Sequence, residues 1–180
     1  AARVSAFADS VFGEITQLGR EHGAGNLSQG FPDFDAPEEI TVAAAAAIRS
    51  GANQYAHPWG IKALRDGIAA EFTRLYGVPV AGDDQVTVCC GSTEAMMAAM
   101  LACIDPGDEV IVFEPFYGYH VNGVRAAGGV ARAVPMAAPD WTFTEAALAA
   151  AVTPRTKAIV VCSPANPTGT MLLPDELDGH

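Results

Sequence analysis

Lysine is almost absent from this 180-residue chain, which holds only Lys62 and Lys157. Positive charge is scarce altogether: 10 Lys and Arg stand against 21 Asp and Glu, for a formal net charge of −11. A field of that sign repels polyphosphate backbones and anionic lipid, which argues against nucleic acid or a membrane as the main partner. Any anion bound here is held by local geometry. The four cysteines (Cys89, Cys90, Cys103, Cys162) and four histidines (His22, His57, His120, His180) form no CxxC or Cys/His ligand spacing. No metal site is expected, and the thiols read as buried and reduced. No apolar run is long enough to span a bilayer and no signal peptide opens the chain, so the expected location is cytoplasmic. Also missing are a Walker A motif and a GxGxxG fingerprint with its acidic residue about twenty positions on, which excludes the usual nucleotide cradles.

What is present is half apolar, enough for a real core. Residues 3–22 predict a helix, with Val4, Phe7, Val11, Phe12, Ile15 and Leu18 at helical spacing and Gly23 and Gly25 beyond. A loop at 26–37 carries Gly30-Phe31-Pro32-Asp33-Phe34. A helix over 37–49 opens on Pro37, Glu38 and Glu39. A second loop at 53–60 gathers Tyr55, His57, Pro58 and Trp59, and a helix over 61–76 ends at Gly77. Strands are then expected at 85–89, 109–113, 130–134 and 157–162, alternating with helices at 93–103, 119–127 and 144–151. That alternation predicts an α/β fold, a mostly parallel sheet with helices on both faces.

Such sheets bind ligands at the carboxyl ends of their strands. Three of these ends are unusual. Gly91-Ser92-Thr93-Glu94 places a glycine and two hydroxyls at a helix start, where free N–H groups and the dipole suit a phosphate, although Ser92 or Thr93 could simply cap the helix. Pro115-Phe116-Tyr117-Gly118-Tyr119 could stack on a flat heterocycle, or merely cover the sheet edge. Asn166 sits in Ala165-Asn166-Pro167-Thr168-Gly169, with Pro164 just upstream, so its amide points in a set direction; turns also use such residues. A phosphate cup, an aromatic plate and a fixed amide together suit a phosphorylated aromatic cofactor.

Leu27-Ser28-Gln29-Gly30-Phe31-Pro32-Asp33-Phe34, Asn53-Gln54-Tyr55, Gly91-Ser92-Thr93-Glu94-Ala95 and Asn166-Pro167-Thr168-Gly169 occur in the order found in class I/II aminotransferases. The chain resembles these fold-type-I pyridoxal-phosphate enzymes, nearest the branch of kynurenine, glutamine, methionine and succinyldiaminopimelate aminotransferases. The resemblance implies pyridoxal 5'-phosphate as cofactor, amino acid and 2-oxo acid substrates, and a homodimer. It assigns the cofactor phosphate to Gly91, Ser92 and Thr93, ring stacking to Tyr117, and the phenolic oxygen to Asn166, which also orients the substrate carboxylate. Tyr55 is implied to reach the partner subunit's phosphate, and Gly30 with Phe31 to meet the substrate. Residues 1–50 correspond to an N-terminal arm and small-domain segment, and 51–180 to the first part of the cofactor-binding large domain. Cys162 departs from the pattern, because relatives often have asparagine there.

Family members run to about twice this length. The expectation is therefore a fragment without the Schiff-base lysine, the aspartate at the pyridine nitrogen and the carboxylate-clamping arginine, inactive by itself. Lys62 and Lys157 read as solvated side chains. A cysteine-conjugate β-lyase on the same fold and a non-catalytic module are the alternatives. Phe31, Tyr55, Trp59 and Tyr117 lean towards an aromatic or large apolar substrate.

Overall fold

The computed structural model describes residues 4, 5, 7, 11–28, 30 and 32–173. They form two compact units, the first spanning Ala8–Val88 and the second taking in Ala1–Phe7 and the chain from Cys89 onward.

The first unit holds three helices, α1 (Val11–His22), α2 (Glu38–Arg49) and α3 (Lys62–Tyr76). Pro37 stands at the N-cap of α2, and Glu38 and Glu39 complement the positive end of its dipole. Gly77, left-handed at φ 69°, closes α3 and donates its N–H to the Thr73 carbonyl at 2.9 Å. The helix expected over 3–22 has Val11 as its first described helical residue; upstream, Phe7 N–H closes a turn on the Val4 carbonyl at 3.1 Å. Apolar spacing alone carries no start signal, and Arg3, Ala6 and residues 8–10 lie outside the described set. The strand expected at 85–89 is not formed. A strand needs a neighbour to pair with, and Val88 N–H donates instead to the Trp59 carbonyl at 3.0 Å.

The second unit runs α4 (Gly91–Cys103), β1 (Glu109–Glu114), α5 (Gly118–Ala127), β2 (Val130–Pro135), α6 (Glu145–Ala151) and β3 (Thr156–Val160). The strands form a parallel sheet ordered β2-β1-β3, with Val112 opposite Ala133 on one side and Val160 on the other. Glu109, Val110, Ile111 and Val112 are all buried. Because consecutive strand residues face opposite ways, both faces of the sheet are covered at β1. The segment 157–162, expected as a continuous apolar strand, is shorter and alternates, with Ile159 exposed, because β3 is an edge strand. Met100 and Ile104 of α4 pack on Val110 and on Val124 of α5 to make the core. Gly129 lets the chain turn closely into β2: a Cβ there would lie 2.7 Å from Ile104 Cγ2.

The thiols are free, but the expectation that all are buried fails. Cys90 and Cys103 are exposed, since they flank the two ends of α4 and not its packed face.

At the start of β1 the buried Glu109 carboxylate accepts hydrogen bonds from Arg132 (2.9 Å), Thr153 (2.7 Å) and Arg155 Nε (3.0 Å). Arg132, then Thr153 and Arg155, hold its pKa down to about 2, from the usual 4.5. A depressed folded-state pKa means stability that is complete above about pH 4.5 and drains away as pH falls through about 2. Urea midpoints measured across that window should fall with acid, and Glu109→Gln should flatten the decline by removing the titration.

Candidate cofactor site

α5 begins where β1 ends, and the chain returns from α5 to the start of the sheet, where Gly107 N–H donates to the Gly128 carbonyl at 3.1 Å. The last turn of α4 packs at that same starting end through Met100 and Ile104. α4 packs against α5, whose first turn follows the carboxyl end of β1.

A solvent-open groove lies at the carboxyl ends of the strands. Val112, Phe113, Phe116, Met136, Val160 and Leu172 supply apolar walls. Tyr117 and Asn166, named from sequence, both line it, as does Cys162, the position where the chain departs from the family pattern; His120 and Thr170 line it too, and the sequence reasoning did not place them there. The available signal for His120 was its position three residues after Tyr117 on a helix. Its ring meets the Tyr117 ring edge-on at 5.6 Å, and Tyr119 packs on Tyr117 at 5.0 Å. Burial pushes the His120 pKa below its ordinary value.

Asn166 stands on a loop closed by two backbone bonds, Ala165 N–H to the Thr170 carbonyl (2.8 Å) and Gly169 N–H to the Ala165 carbonyl (2.7 Å). Gly169, at φ 75°, supplies the left-handed turn. The Asn166 amide is exposed and makes no hydrogen bond within the described residues. Cys162 faces the Pro164 carbonyl at 3.5 Å.

At α4, Gly91 adopts φ 83° and Cys90 holds the N-cap position without a side-chain cap bond. Neither Ser92 nor Thr93 caps the helix, so the ordinary capping role does not account for them. Glu94 reaches back to the Cys90 N–H instead. Gly91 N–H donates to the Cys89 carbonyl at 2.9 Å, whereas the next N–H groups of the first turn have no partner within the helix, and Gly91, Ser92 and Thr93 are exposed. Unpaired donors, two hydroxyls and a positive dipole end are the chemistry a phosphate requires. Gly91, Ser92 and Thr93 do not line the groove that holds Tyr117 and Asn166; taken together, phosphate donors, an aromatic ring and an unengaged amide are the chemistry that a flat phosphorylated cofactor needs.

Tyr55 and Gly30 belong to the first unit, and both are exposed. Phe31 lies outside the described residues. Among the described residues no cluster of His, Cys, Asp and Glu could hold a metal, and no helix is long and apolar enough to cross a membrane.

Residues 24–178 match the family "Aminotransferase class I and II". The chain belongs to that family. It is 42% identical over 179 residues to the probable N-succinyldiaminopimelate aminotransferase DapC of Mycobacterium tuberculosis, covering 98% of this chain and 45% of that protein. Methionine aminotransferase of Escherichia coli is 38% identical over 162 residues, covering 90% of this chain and 42% of that one. The solved structure of N-succinyldiaminopimelate aminotransferase from M. tuberculosis superposes with a TM-score of 0.93 at 41% identity, over 98% of this chain and 47% of that one. This aminotransferase-family chain thus spans about half the length of the relatives it matches.

Proposed function

We propose that this chain is part of a longer pyridoxal-phosphate-dependent aminotransferase that moves an amino group between an amino acid and a 2-oxo acid. The observation that carries the proposal is the meeting of Tyr117 and the unengaged Asn166 amide in one groove at the carboxyl ends of the strands. When bound, pyridoxal phosphate supplies the electron sink that such a transfer needs. Ser92 and Thr93 would take its phosphate through N–H and hydroxyl groups, with Gly91 keeping the approach open. Tyr117 would stack on the ring. Asn166 would donate to the phenolic oxygen and orient the substrate carboxylate. Gly30, with the loop around Phe31, would meet the substrate, and Tyr55 would serve the phosphate of a second subunit. The apolar walls from Phe113, Phe116, Met136 and Leu172 favour an aromatic or large apolar amino acid.

The division into an arm and small-domain segment (1–50) and the first part of the cofactor domain (51–180) belongs to the same proposal. Free thiols accord with a cytoplasmic protein.

Neither lysine is suited to hold the cofactor covalently. Lys62 lies between Asp66 and Asp83, each at 3.0 Å, and hydrogen bonding to Asp83 and then Asp66 raises its pKa. That keeps the amine protonated, the opposite of what a nucleophile needs. Lys157 is exposed on an edge strand. Borohydride treatment of the full-length protein loaded with pyridoxal phosphate should fix the cofactor to a lysine outside these 180 residues. Fixation on Lys62 or Lys157, or on none, would refute this assignment.

A further inference from the structure

Arg65 is the one buried basic residue among the described residues, only 6% exposed, and the cofactor site makes no use of it. Its guanidinium is spent on backbone. Nε donates to the Gly60 carbonyl at 3.0 Å, and Nη1 donates to the carbonyls of Gly82 (2.6 Å) and Asp83 (3.1 Å). The nearest carboxylate, Asp83, lies 3.8 Å away and is exposed. A buried cation that binds three carbonyls in two loops, and no buried acid, fixes backbone geometry: the planar fork sets the relative positions of its acceptors.

One of those loops is 53–60, which bears Tyr55. The loop has little else to hold it. Tyr55 is fully exposed with no side-chain partner among the described residues, and Trp59 is half exposed against His57. Its two ends, however, are tied down. At the front, Asn53 Nδ2 donates to the Ile48 carbonyl at 2.8 Å, anchoring it to the end of α2. At the back, Arg65 holds Gly60, and Val88 N–H holds the Trp59 carbonyl at 3.0 Å. The back end is also sterically closed: Gly60 has φ 96°, and a Cβ there would lie 2.6 Å from Val88 Cγ2. Gly82, another acceptor of Arg65, is equally tight, with a Cβ meeting Asp66 Oδ1 at 2.6 Å.

We propose that Arg65, with Asn53 at the opposite end, is a positioning residue that clamps loop 53–60 so that Tyr55 projects at a fixed place towards the cofactor phosphate of a second subunit. The proposal rests on the role of Tyr55 given under Proposed function. The clamp removes the loop's freedom before assembly, so Tyr55 need not be ordered when the dimer or the cofactor binds.

The test is a double-mutant cycle in the full-length protein, comparing wild type, Tyr55→Phe, Arg65→Lys and the double variant. Each apoenzyme is titrated with pyridoxal phosphate and its melting curve recorded. Arg65→Lys retains a cation but loses the fork, and should weaken cofactor affinity about tenfold, while in the Tyr55→Phe background it should change affinity less than about twofold. Its effect on melting should be the same in both backgrounds. Asn53→Ala, on the surface and harmless to the core, is the second variant should Arg65→Lys not fold; the same pattern is expected, with a smaller effect. An equal loss of affinity in both backgrounds would make the clamp merely structural and overturn the proposal. So would an unchanged affinity in Arg65→Lys, or in Asn53→Ala where that variant is used, when Tyr55→Phe weakens binding. Unchanged affinity in Tyr55→Phe itself would instead overturn the reading of Tyr55, and the clamp's function with it.

Discussion

A Tyr55→Phe subunit mixed with a subunit lacking the cofactor lysine should recover aminotransferase activity that neither variant has alone. If Tyr55 serves the neighbouring site, one site of each mixed dimer carries both lesions and the other carries neither. Random exchange in a two-fold dimer then leaves about one site in four intact. The structure supplies the motive: nothing among the described residues covers Tyr55, and large apolar side chains of the same unit, Leu27, Phe34 and Trp59, are also exposed. Obligate homodimers bury such surface in large interfaces. Activity of mixed samples is read after subunit exchange is verified with differently tagged subunits. Exchange without recovery would place Tyr55 in its own subunit's site, or in none.

Ser92→Ala and Thr93→Ala in the full-length protein should each weaken cofactor binding strongly while leaving folding almost untouched. A hydroxyl donated to a phosphate is worth roughly 1.5–3 kcal/mol, which is about ten- to a hundredfold in affinity. The loss of an N-cap, by contrast, costs about 1 kcal/mol of stability. Here neither hydroxyl caps α4, so even that cost should not arise. Titration of cofactor into the variant apoenzymes, set beside their melting curves, separates the two effects. A drop in melting temperature with affinity unchanged would show that these residues serve the helix and not a ligand.

The legible parts of the molecule were those whose signals are local. Consecutive apolar residues made β1 unmistakable, and Gly77 and Gly128, both left-handed, mark helix ends where a sequence reader places them. Tyr117 and Asn166 were found because aromatic and Pro-flanked amide residues stand out at strand ends, and the groove does bring them together. What could not be read depends on partners distant in sequence. Residues 85–89 have strand composition but no strand beside them, and β3 is trimmed to five residues at an exposed edge. Cys90 and Cys103 look like core residues in an apolar run, yet the face of α4 that packs is set by α5 and β1. His120 carried no motif, and only the fold of α5 back over the sheet brought it into the groove wall. Arg65 was not singled out within the helix over 61–76; its burial comes from loops five and seventeen residues away.

The most direct measurement of the central claim is product analysis. The full-length protein, loaded with pyridoxal phosphate, is given an aromatic or large apolar amino acid, and in a parallel sample a cysteine conjugate, each together with a 2-oxo acid, and the keto-acid and amino-acid products and ammonia are quantified. Amino-group transfer predicts that a new amino acid and a new 2-oxo acid form in equal amounts, without ammonia. Ammonia and pyruvate released from a cysteine conjugate, with no transfer to the acceptor, would instead show an eliminating lyase. Bound cofactor with no turnover of any amino acid would show a non-catalytic member of the family.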